Sequence, residues 1–130
     1  MDRRTFVMTG AWLSAAGGAL PWIAHAAGAS NTIAVVDTSL APGRALADYA
    51  ARRGMPAFEV GDDMGTLWYV TLAPRLATAP GLLLGIARAS DYFVLGQLAL
   101  RAGRMTEHRC KQGTGLGAPL AFLLGPAAGH

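Results

Sequence analysis

Cysteine and lysine are almost absent from this 130-residue chain: Cys110 and Lys111 are the only examples of each. A single cysteine excludes an intramolecular disulfide and a cysteine-based metal centre, so Cys110 reads as a small apolar residue near the end of a strand. Charge is sparse too, at 15% of residues and a formal net charge of +3. The arginines are scattered and form no long basic run, so no nucleic-acid partner is expected. Histidine occurs at positions 25, 108 and 130. Only His108 is placed to act as a general base in a folded domain, and no Ser or Cys partner is evident; a polar position on an edge strand is its expected role. Catalytic signatures are missing as well. There is no G-x-S-x-G elbow, no H-E-x-x-H and no G-x-x-x-x-G-K. Gly113-Thr114-Gly115-Leu116-Gly117 leads into Ala118-Pro119, not into a capped helix, and reads as a flexible linker.

What the chain does carry is a distinctive start. Arg3 and Arg4 precede Phe6 and Val7, and a mildly apolar stretch runs from Val7 to Ile23, diluted by Gly10, Gly17 and Gly18. A positive start, an apolar middle and a small-residue site, here Ala24-His25-Ala26, are the three parts of an export signal. Pro21 is expected to end the helical part and expose that site. The apolar run, roughly 17 residues, lies at the lower limit for crossing a bilayer, so a cleaved leader is expected and not an anchor.

This start resembles the twin-arginine signal peptide of bacteria. Arg3, Arg4, Phe6 and Val7 match its pattern, while Asp2 and Met8 depart from its first and last positions. The resemblance covers the leader alone. It implies a signal peptide over residues 1–26 cut after Ala26, with Ala24 and Ala26 as the small residues read at the site. It further implies engagement of the twin-arginine translocation machinery, passage in the folded state, a periplasmic destination and membrane contact only through the leader. Passengers of this kind carry a cofactor, fold fast, or travel with an exported protein partner; no cofactor is specified by the sequence.

Residues 27–130 are then one small domain with a flexible C-terminal tail, a size that buries roughly two thirds of its unfolded surface. The expected fold is α/β: a small, open, mostly parallel sheet of four or five strands with helices on both faces, after the signal helix. Thr32–Asp37, apolar on successive residues, is read as the first and central strand, covered on both faces. A helix is expected over Arg44–Arg53, with Thr38 or Ser39 capping, Pro42 near its start, Leu46, Tyr49 and Ala50 on its inner face, and Gly54 as its left-handed stop. Pro56–Val60 is a short second strand. The stretch Thr66–Leu72 is read as part of a crossover helix that Pro74 kinks or ends; a hairpin through Gly61–Gly65 is the alternative. Gly81–Ala87 is a third strand. Ser90 or Asp91 caps a largely buried helix over Tyr92–Ala102, and Arg104–Cys110 is a charged edge strand. Ala118–Leu124 either adds a strand or folds back.

Ligands of open α/β sheets bind at the carboxyl ends of the strands. That rule selects Asp37 and Ser39 after the first strand, Asp62 and Asp63 after the second, and Arg88 and Ser90 after the third as candidate ligand-binding residues. The three acids suit a hard cation such as Mg²⁺, and Arg88 with the helix start at Ser90 suits an anion. Each also has a plain structural role, as a helix cap or a surface charge. Trp68, Tyr69, Tyr92 and Phe93 are either an aromatic pocket or core. The expectation is an exported, non-catalytic binding or accessory protein. A small metal-dependent enzyme using Asp37 and Asp62 is the alternative.

Overall fold

The computed structural model of the chain describes residues 20–126. Arg3, Arg4, Phe6 and the other residues before Leu20, on which the expected leader falls, lie outside the described residues, as do residues 127–130. The described part is an α/β fold with an open five-stranded sheet in the order β2-β1-β3-β5-β4. The strands are β1 Ile33–Val36, β2 Ala57–Glu59, β3 Leu83–Arg88, β4 Arg104–Lys111 and β5 Pro119–Pro126.

The sheet is mixed. β1 runs parallel to β2 and β3, while β5 is antiparallel to both β3 and β4, so β5 alone is reversed. β1 is interior, as its apolar run requires, but the middle position belongs to β3. The segment at Ala118–Leu124 is a strand, inserted between β3 and β4, and its residues from Leu120 to Gly125 are buried. It takes an interior position because it has no charged side chain to keep in water, whereas β4 does and stays at the edge. A bulge between Thr106 and His108 interrupts the β4 ladder.

Alternation along the inner strands builds two cores. Ile33, Val35, Leu83, Leu120, Phe122 and Leu124 face one layer, and Ala34, Val36, Leu84, Ile86, Ala121 and Leu123 face the other. At Gly85, opposite Phe122 in the register, a Cβ would lie 2.3 Å from the Phe122 ring, so the close fit of these strands needs glycine there.

The first core is covered by α5, Ala89–Arg101, and by a helical run made of α3, Met64–Leu67, a wide turn over Trp68–Leu72, and α4, Ala73–Thr78. Thr66–Leu72 is therefore helical. Pro74 does not end the run, which continues to Thr78. Proline has no N–H to give the carbonyl of residue 70 and would crowd it; the chain widens just before it, with Ala73 N–H bonding back five residues to Trp68 O. α5 is less buried than its apolar composition implies, since Phe93, Val94 and Leu100 face solvent. Trp68 and Tyr92 belong to the core while Tyr69 and Phe93 are exposed, so the four aromatics do not form a pocket.

The second core is covered by α1, Pro21–Gly28, and α2, Ala41–Arg52. α2 starts three residues earlier than Arg44, with Pro42 in its first turn, and ends before Gly54, whose φ is +68°. Leu46, Tyr49 and Ala50 are buried on it as expected. α1 straddles the boundary at Ala26. Pro21 begins this helix, the leader helix expected before it lies outside the described residues, and Ile23 and Ala26 are fully buried. Trp22 stacks on His108 of β4 at 5.2 Å, which places that exposed histidine on the edge strand as expected. Cys110, half-buried, packs against the same core.

Candidate functional sites at the two ends of the sheet

At the carboxyl ends of the parallel strands the chain leaves β1 through Asp37, which is buried. Its Oδ1 accepts hydrogen bonds from the Ser39 amide at 2.9 Å and the Ser39 hydroxyl at 2.6 Å. Arg88, at the end of β3, brings Nε to 3.5 Å from Asp37 Oδ2 and donates from Nη2 to Ser39 Oγ at 2.9 Å. Three residues selected from the sequence thus meet in one network.

That network also corrects the caps. Ser39 is turned to Asp37, and Thr38 is turned to Glu59, which accepts from the Thr38 amide and hydroxyl at 3.1 and 2.8 Å; the α2 start has no side-chain cap. Neither Ser90 nor Asp91 caps α5, which begins at Ala89. Its first amides, Ala89 and Ser90, donate instead to the carbonyls of Ala118 and Leu116, so a side-chain oxygen is not needed there. Asp91 joins the neighbourhood of the network: burial and then the Asp37 charge raise its pKa, with Arg88 opposing.

Asp62 and Asp63 do not join it. Asp63 caps α3, accepting from the Gly65 amide at 2.9 Å and the Thr66 hydroxyl at 2.8 Å, and these bonds, Thr66's first, lower its pKa. Asp62 is exposed beside it. Among the described residues no three His, Cys, Asp or Glu side chains gather in a group that could hold a metal ion. Ser39 gives its proton to Asp37 and accepts from Arg88, so the hydroxyl is committed as a tie within the loop.

A second concave site lies at the opposite end, where the parallel strands begin. It is a cleft of about 460 Å³ whose wall includes Thr32 and Ile33 entering β1, Met55 and Pro56 entering β2, and Arg53 and Arg75. Arg53 has its guanidinium carbon 4.0 Å from the centre of the Tyr49 ring, and that of Arg75 is 5.2 Å from the centre of Phe58. Both contacts are cation–π pairs. Among the described residues no carboxylate lines the cleft. Asn31, also in the wall, holds the left-handed conformation, φ 65°, at the turn from α1 into β1. Sequence reasoning missed this site because its two cations come from separate segments, after α2 and inside α4; only the fold brings them to one wall.

Comparison with family models, with curated proteins and with solved structures finds no match. Among the described residues no helix is long and apolar enough to cross a membrane.

Proposed function

We propose that the protein is an exported, non-catalytic binding protein, accessory to another exported factor, and that it takes a small anionic ligand in the cleft where its parallel strands begin. The observation that carries the reading is the pair Arg53 and Arg75 on a concave wall without a carboxylate. A guanidinium in cation–π contact with a ring keeps N–H groups that can grip a carboxylate or phosphate in bidentate fashion. Apolar neighbours such as Ile33 and Met55 strengthen that attraction by keeping water back. Among the described residues the lining has no His, Cys, Asp or Glu, and the hydroxyls of Thr32 and Thr78 donate to backbone carbonyls. That supports binding over catalysis. Export rests on Arg3, Arg4, Phe6 and the mildly apolar stretch that follows them, with the periplasm as destination.

Titration calorimetry with pyrophosphate and with citrate as probes tests the ligand chemistry. Arg53→Gln and Arg75→Gln are each expected to weaken binding about tenfold or more, since a charge-assisted hydrogen bond contributes roughly 1.5–3 kcal/mol and 1.4 kcal/mol is a factor of ten. No heat with either probe, or equal binding by the double variant, would contradict the reading. For export, replacing Arg3 and Arg4 together with Lys is expected to hold the protein in the cytoplasm. Continued export of that variant would contradict the twin-arginine route.

A further inference from the structure

The sequence reading places a cleavage site at Ala24-His25-Ala26, and the fold places those same residues inside α1, where Ala26, with Ile23, is buried against the second core while Ala24 and His25 are exposed. We infer that α1 is part of the folded domain and that folding closes this site, so that the exported protein keeps Pro21–Ala26. The inference goes beyond the ligand-binding reading and borrows from it only the export step.

Hydrolysis at the site would add water across the Ala26–Ala27 peptide bond, leaving a carboxylate on Ala26 and an ammonium on Ala27. The nucleophile must reach the Ala26 carbonyl. That carbonyl is held from two directions: the Thr32 hydroxyl donates to it at 2.6 Å and the Ala29 amide at 3.1 Å. Thr32 is itself buried, and Ala26 has no exposed surface. A peptidase that reads small residues at alternate positions needs them extended, whereas Ala24 N–H is tied back to the Leu20 carbonyl in a helical turn. Ile23 is anchored with Ala34, Val36, Leu84 and Ile86, and Trp22 is stacked on His108. Opening the site therefore means lifting α1 off the sheet, and cleavage follows the population of that opened state.

The same segment supports the cleft. Ala27 and Ala29 form part of its wall, and the Thr32 hydroxyl that holds the Ala26 carbonyl also bonds Ala29 O at 3.2 Å. Loss of Pro21–Ala26 would remove the anchor of that wall and place a new ammonium at its edge.

Two measurements on the full chain test the inference. The first is the intact mass of the protein recovered from the periplasm of a host with a twin-arginine system. A mass that includes Pro21–Ala26 supports the inference; a chain starting at Ala27 overturns it while leaving the export reading standing. The second is amide hydrogen exchange on the purified full chain. Protection of Ala24 and Ala29 by roughly 100-fold or more, on the scale of the amides of β1, is expected for a docked helix. Free exchange of those amides beside a protected β1 would overturn the inference. A protein found only in the cytoplasm would sink the export reading instead, and the exchange result would still decide whether α1 belongs to the fold.

Discussion

Asp91 and Asp63 show how differently two carboxylates of one chain respond to pH. Asp91 is partly withdrawn from water and faces the Asp37 charge, so its native pKa is raised from 3.8. The native state then holds the proton more tightly than the unfolded chain, and Asp91 costs stability as pH rises from 3.8 through the raised value. Asp91→Asn is expected to flatten this term, gaining stability on the wild type at neutral pH and not in acid, as read from urea midpoints across that range. Asp63 has the opposite sign: its contribution is present at neutral pH and is lost as pH falls through its lowered native value. The cap at Asp63 was legible because an acid directly before a helix has a local amide to accept. Thr38 and Ser39 misled for the same reason. They look like caps in sequence, but in space Glu59 and Asp37 reach their hydroxyls first. Asp37, Ser39 and Arg88, three of the six residues selected at the strand ends, meet because strand ends in an open sheet are neighbours, while Arg53 and Arg75 carry no local pattern that would join them.

Apolar runs made β1 and β3 readable, and they located β5 without its direction. Its reversal follows from the short connection, Gln112–Ala118, which joins β4 to an antiparallel neighbour and leaves no room for a crossover helix. The run through Pro74 shows the converse limit. A proline normally argues for a stop, yet a widened turn before it lets the helix go on. α1 was assigned to the leader because Ala24-His25-Ala26 is a local signal, whereas the burial of Ile23 arises only once the sheet exists. Ile23→Ala is expected to cost about 2–5 kcal/mol in urea denaturation of the full chain, the range for deleting a fully buried branched side chain. A cost near zero would mean that α1 does not share the core.

Across the whole molecule, the sheet separates two ends of different character. Where the parallel strands finish, Asp37, Ser39 and Arg88 satisfy one another. Where they begin, Arg53 and Arg75 line an open cleft with no acid in its wall among the described residues. The α/β class and the layering of helices on both faces were legible from periodicity and length. Which end is open was not, because it depends on loops from α1, α2 and α4 closing around one space. Titration of the isotope-labelled chain with pyrophosphate, followed by amide chemical shifts, tests this central claim most directly. The account predicts shifts confined to the cleft wall, Ala27–Ile33, Arg53–Met55 and Arg75–Ala79, with Ser39 and Arg88–Asp91 unmoved. Shifts centred on Ser39 and Arg88, or none at all, would contradict it.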